Sequence, residues 1–339
     1  MMETDKIFAK LLETAERSPG SLSELSSKDL SDCLITELNC YGELYPAARR
    51  ERLESTILAA CASFDEARLS GDFVRIRQLL STLYGISSGL PAPDDFDLFV
   101  RKAAFDSAAL RHWRENTAVV LGDSHVNFFS GNEYLEYTLI DDDIRLCPQV
   151  NSLPFTALYL GPCLAYSCMK EDSATDFPGK FKKLESSFLR PGARLILSLG
   201  EVDIRVHVLL QAEAQNKTVE TVLDEILANY SALIRQLREK GYEIYCWGPI
   251  ASQKDDSPVN PDFPRYGSEQ ARNRATFLFN EKLRDLCKET GAVYMSIFGK
   301  MVSEDLLTRE EFLSPDHFHL GQKAMEAALP VFREAGLIA

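Results

Sequence analysis

Residues 117–125 read TAVVLGDSH, a short apolar run that passes through a glycine straight into a polar cluster. An unbroken apolar run of this length is what a strand buried on both faces looks like. Asp123, Ser124 and His125 then fall at its carboxyl end. The same rhythm repeats outward from this point. EYTLI (136–140), TALYLG (156–161), RLILSLG (194–200), YEIYCWGPI (242–250) and AVYMSIF (292–298) read as strands, and RLILSLG is the strongest of them. Helical apolar spacing fills 218–241, opened by Thr218 and closed by Gly241, and 268–290, closed by Gly291. It returns at 320–336, where Pro330 interrupts or bends the helix. Strands alternating with helices predict an α/β fold, a mostly parallel sheet covered on both faces as a three-layer α/β/α sandwich. In such sheets ligands gather at the carboxyl ends of the strands. Four polar clusters fall there: GDSH after TAVVL, GP after TALYL, GEVDIR after LILSL and GPIAS after EIYCW.

Before residue 116 the pattern is different. Helical spacing marks 51–69, 72–84 and 96–113, with a Gly- and Pro-rich break, SSGLPAPDD, at 87–95. The expected organisation is an α-helical accessory region over 1–115, whose protein partners the sequence does not name, followed by an α/β domain over 116–339. The first twenty residues lack the basic start and continuous apolar stretch of a secretory signal. They read as an amphipathic helix with Ile7, Phe8, Leu11, Leu12 and Ala15 on one stripe. Of 339 residues, 45% are hydrophobic and 26% charged, enough to build a core, and the formal net charge is −14. Such an acidic chain repels phosphate backbones and anionic lipid, so neither nucleic acid nor membrane is expected as a partner. No apolar run reaches the ~20 residues that cross a bilayer. The eight cysteines form no CxxC pair and read as buried, reduced thiols of a cytoplasmic protein.

A serine hydroxyl is a weak nucleophile; it needs a base within hydrogen-bond reach and a third group to orient that base. The chain has five histidines, and His319 lies in SPDHFHLG, three residues after Asp316 and just before the last helix. A tight loop there would present both side chains to one site. Taken singly, GDSH is an ordinary strand-end turn and Asp316 an ordinary helix cap. Together, at two ends of one α/β domain, they point to Ser124 as nucleophile, His319 as base and Asp316 as its orienting acid.

GDSH at 122–125 resembles the first block of the SGNH/GDSL hydrolases, and DHFH at 316–319 resembles their closing DxxH block. The resemblance implies a sandwich of flavodoxin-like strand order and hydrolysis or transfer of an acyl ester. It implies as substrate a small molecule or glycan, such as one carrying O-acetyl groups, and no metal or organic cofactor. It also implies an oxyanion hole built from the Ser124 backbone N–H, the glycine of a second block, matched here by Gly161, and an asparagine of a third. That third block departs from the pattern. GxND appears as GEVD at 200–203, with Val202 in the asparagine's place. Loss of one oxyanion donor typically costs ~100- to 1000-fold in turnover. In GEVDIRVH, Glu201, Asp203, Arg205 and His207 alternate, so an extended segment would set all four on one face. Arg205 would there clamp an anionic group; equally, the cluster would be an ion-pair network bracing a loop. His125 and Asn127 complete the set of candidate substrate contacts, and Trp247 reads as a pocket wall or a core residue.

Two other readings stay open at this point. Asp123 with His125, and His317 with His319, have the D-x-H and H-x-H spacings of binuclear metallophosphoesterases, although the GDxxD and GNHD/E motifs of that family are missing. The valine at 202 also suits a carbohydrate-binding or scaffolding module that kept the fold and lost the reaction.

Overall fold

A computed structural model describes residues 111–339 apart from 141–142, 172 and 260–263, together with residues 105, 108 and 109. The helices expected at 7–15, 51–69, 72–84 and over most of 96–113 lie outside the described residues. The chain divides into compact units at 114/115, and the unit 115–339 is treated by itself below.

Seven strands form one sheet: β1 (Ala118–Gly122), β2 (Thr138–Leu139), β3 (Arg145–Cys147), β4 (Phe155–Tyr159), β5 (Arg194–Ser198), β6 (Glu243–Trp247) and β7 (Val293–Met295). Their order is β2-β3-β4-β1-β5-β6-β7. From β4 to β7 every neighbour is parallel. The parallel strands, counted along the chain, therefore lie in the flavodoxin-like order 2-1-3-4-5. β3 runs antiparallel to β4, and β2 antiparallel to β3, so EYTLI contributes a two-residue edge strand rather than another parallel one.

Alternation along the strands divides the core in two. Ala118 and Val120, Phe155 and Ala157, and Tyr245 and Trp247 belong to one apolar cluster with Phe128, Phe129 and Phe332. The intervening residues, among them Val119, Leu121, Leu195, Leu197 and Cys246, are equally buried and face the other side. Four longer helices follow in chain order: α1 (Phe177–Ser187), α2 (Val219–Glu239), α3 (Glu269–Thr290) and α4 (Met325–Glu334). α4 supplies Phe332 to the first cluster. On the other side, the Tyr230 hydroxyl of α2 donates to the Leu197 carbonyl, and Phe279 of α3 lies under Gly200. The result is the expected three-layer α/β/α sandwich.

The helix ends obey capping chemistry. Thr218 accepts from the Thr221 N–H, Ser268 from the Ala271 N–H, and Gly291 closes α3 in the left-handed region at φ 69°. The segment expected as one helix over 320–336 begins instead with a 3-10 turn at Gln322–Ala324 and becomes α4 only at Met325; α4 carries Pro330 within it. Two elements had no clear sequence signal: β3 is three residues long, and α1 is an amphipathic helix opening on Pro178.

Candidate active site

β1 ends at Gly122, in register with Tyr159 of β4 and Ser198 of β5. A side chain at 122 would run into the Ser198 carbonyl oxygen, so only glycine lets the two strand ends close up. Asp123 then caps a one-turn 3-10 helix, Ser124–Val126, by accepting from the His125 N–H at 3.0 Å. This turn lifts Ser124 to the carboxyl edge of the sheet.

The other half comes from a hairpin. Leu313 and Leu320 form an antiparallel bridge, and the Ser314 N–H donates to the His319 carbonyl. The backbone turns at His317, φ 68°. Inside this loop one Asp316 carboxylate oxygen accepts from the Ser314 hydroxyl (2.6 Å) and from the Phe318 and His319 N–H groups (3.0 Å each). The second oxygen meets His319 Nδ1 at 2.7 Å. His319 Nε2 lies 2.7 Å from Ser124 Oγ. Neutral imidazole with its proton on Nδ1 thus donates to Asp316 and accepts from the serine. Burial pulls the His319 pKa below its ordinary value, and the nearby His125 pulls the same way against the bond to Asp316. Burial alone would raise the Asp316 pKa, but the bond to the His319 ring, the His319 backbone N–H and the Ser314 hydroxyl outweigh it and hold the carboxyl well below the usual range.

The backbone N–H groups of Ser124 and Gly161 have no protein acceptor among the described residues. Gly161 lies just past β4, where φ is 94°. The neighbouring Leu160 N–H donates to the Gly122 carbonyl, which ties this loop to the strand that carries the serine.

The GEVDIRVH segment is not extended. It enters as helix at Glu201 and forms a π-type turn over Asp203–Val208, so its side chains do not alternate across one face. The four-residue step from Glu201 to Arg205 is a helical one, and the pair forms a buried fork: Arg205 Nε to one carboxylate oxygen at 2.7 Å, Nη2 to the other at 3.1 Å. Glu201 also meets His125 Nε2 at 3.1 Å. Burial would raise the Glu201 pKa, but Arg205 and His125 overcome it and hold the carboxyl low. Burial disfavours the charged form of His125, yet Glu201 and Asp123 turn the net shift upward. Asp203 points elsewhere: its two oxygens accept from the Ala165 and Tyr166 N–H groups at 2.8 and 3.0 Å. Burial nevertheless pushes its pKa up to about 7. Asp203 is thus spent on bracing the loop that holds Gly161. His207 is half-buried, its pKa lowered by burial and by Arg205.

The expected substrate contacts thus separate. His125 faces the site, its ring centroid 4.8 Å from that of His319. Glu201 and Arg205 stand behind it as an ion pair, with the Arg205 guanidinium 5.9 Å from the centre of the Phe318 ring. Asn127 is a correction. Its amide donates to the Asn132 and Tyr134 carbonyls and accepts from the Glu136 N–H, so both of its donors are spent on the following loop. Trp247 is core, stacked on Phe128 and packed against Phe129 edge-on and Phe332 at a tilt. Arg272, Asn273 and Asn280, on one face of α3, hold the loop after β6 through Ser252, Gln253 and Pro249. The metal spacings do not converge: His317 Nδ1 turns to Glu310 at 3.1 Å, and both His319 nitrogens are engaged. Among the described residues no three His, Cys, Asp or Glu groups are placed to hold a metal ion.

No protein-family model matches the chain, and neither does any curated protein sequence. Solved structures with a similar chain path include a phospholipase A1 from Streptomyces albidoflavus, at 14% identity and TM-score 0.37, covering 64% of this chain and 98% of that one. A GDSL-like lipase from Bacteroides thetaiotaomicron matches at 12% identity and TM-score 0.39, over 67% of this chain and 96% of that one. A gut microbial diltiazem-metabolizing enzyme matches at 14% identity and TM-score 0.39, over 65% and 46%.

Proposed function

We propose that this protein is a serine hydrolase acting on acyl esters of small polar molecules, among which O-acetylated sugars are the first to try. The observation that carries the reading is the unbroken relay from Asp316 through His319 to the Ser124 hydroxyl, with 2.7 Å at both steps. Ser124 Oγ attacks the ester carbonyl while His319 Nε2 takes its proton, and Asp316 stabilises the imidazolium that forms. The carbonyl oxygen becomes an oxyanion and accepts from the free N–H groups of Ser124 and Gly161. On collapse the C–O bond breaks, His319 returns the proton to the leaving alcohol, and an acyl-serine remains. Water, deprotonated by His319, then attacks it; the acyl C–Oγ bond breaks, His319 returns that proton to Ser124 Oγ, and the acid is released. Val202 supplies no third donor, so turnover is expected toward the low end for such sites.

The test is covalent. A fluorophosphonate labels Ser124 in the wild-type protein and labels neither Ser124→Ala nor His319→Ala; a panel of acetyl esters is hydrolysed by wild type and falls by ~1000-fold or more with Ser124→Ala. Equal background hydrolysis by wild type and Ser124→Ala would sink the proposal. Activity should persist into mildly acidic solution, because His319 stays neutral below its ordinary pKa.

A further inference from the structure

β3 runs against β4, so its first residue, Arg145, lies at the same edge of the sheet where β4 and β1 end. Arg145 is level with Tyr159, and Tyr159 is level with Gly122, two residues from Ser124. The guanidinium lies between two aromatic rings, 4.9 Å from the Tyr159 centroid and 5.3 Å from that of Tyr137. A second cation meets it from α1. Lys180 is only 6% exposed, and its ammonium donates to the Leu160 carbonyl at 2.6 Å, one residue before Gly161. A Cβ placed on Gly161 would find Lys180 Nζ at 3.5 Å and Arg145 Nη1 at 3.9 Å, so both cations reach the same small space beside this glycine.

Neither cation has a carboxylate partner among the described residues. Lys183, one turn along α1, does have one in Asp143 at 3.5 Å. A buried ammonium with a single carbonyl acceptor is costly, and more so in the first turns of a helix, whose N-terminus is itself positive. In a chain of net charge −14, carboxylates to neutralise these two groups are in ample supply. None of those described is placed to do so, which leaves a positive corner at the end of β4 among the described residues. A ligand carboxylate or phosphate completes it, accepting from Arg145 in forked geometry and from Lys180 as a point charge.

We propose that Arg145, Lys180 and the open face of Gly161 form a subsite for an anionic group of the substrate, so that the preferred esters carry a carboxylate or phosphate. The subsite deepens the serine-hydrolase reading and rests on it for the identity of the bond broken. A lysine that merely pinned the Leu160 carbonyl would affect charged and neutral esters alike, which gives the experiment its contrast.

Two matched pairs of esters, each differing only in charge, cover both sides of the scissile bond. The mono-para-nitrophenyl ester of glutaric acid is set against para-nitrophenyl valerate, and meta-acetoxybenzoate against meta-acetoxybenzamide. The wild-type protein should favour the charged member of at least one pair by about ten-fold in kcat/KM, the worth of one charge-assisted hydrogen bond. Arg145→Gln and Lys180→Met, each checked for native unfolding behaviour, should remove most of that preference; Arg145→Gln changes the neutral rates by less than about two-fold, and Lys180→Met, which also gives up the bond to the Leu160 carbonyl, lowers the charged member of the pair several-fold more than the neutral one. No preference in either pair, or equal losses on both members, overturns the subsite while Ser124-dependent hydrolysis stands. If no ester is hydrolysed, the hydrolase reading has failed, and calorimetric titration with inorganic phosphate decides the subsite alone. Phosphate binding that weakens about ten-fold in both variants supports it; no binding to wild type overturns it.

Discussion

His125 follows Ser124 in the chain and faces His319 across 4.8 Å, so a positive charge on it acts on the His319 ring. Four titratable or charged groups bear on that imidazole pair: Asp316, Glu201, Asp123 and Arg205. A positive His125 opposes protonation of His319. His125→Gln removes that opposition and leaves the Glu201 carboxylate less neutralised, and both changes favour the imidazolium. The acid limb of kcat/KM is therefore expected to move to higher pH, so that activity falls more in mild acid than at neutrality; a kcat/KM profile from pH ~5 to ~8 checks it. The residues of the relay were legible because each sits in a turn closed by its near neighbours: GDSH by the Asp123 cap, DHFH by the carboxylate of Asp316. The segment 201–207 was misread because alternation and helical spacing share residues. Glu201 and Arg205 satisfy both a period of two and a step of four, and only burial of the fork decides between them. Asn127 and Asp203 misled for a related reason, since a polar residue near a catalytic motif looks the same whether it meets a ligand or a backbone.

At the scale of elements, α4 is the clearest case of packing that supports the site. Its Phe332 ring lies 5.0 to 5.6 Å from those of Phe129, Phe155 and Trp247. This cluster holds the underside of the turn that carries Ser124 and the helix that follows His319. Phe332→Ala is expected to cost ~3–5 kcal/mol, read as a lower urea midpoint with unchanged slope. The parallel strands and longer helices could be read from the sequence because their apolar periods are long enough to stand out. β3 could not, since three residues carry no period. Nor could the antiparallel turn that sends it back along β4, and with it went the placing of Arg145. Lys180 was invisible for another reason: a lysine in an amphipathic helix ordinarily reads as solvated, and only the path of the Leu160 loop buries it.

At the scale of the molecule, residues 115–339 contain all seven described strands and the four longer helices that cover them. A fragment of this span is expected to be soluble, to unfold in one cooperative transition, and to keep the Ser124 labelling of the full chain; circular dichroism and fluorophosphonate reaction measure both. A fragment that labels less than about a tenth as fast as the whole would show that the preceding residues help build the site.

The bond between His319 and Ser124 joins positions 195 residues apart. A contact of such sequence separation forms only after the intervening chain has found its place, for loop closure has to be met before the contact gives anything back. During refolding, then, the indole of Trp247 should report a collapsed interior before the hydroxyl becomes reactive. Return of labelling is a clock that starts late, and it separates molecules that are merely compact from those that are finished.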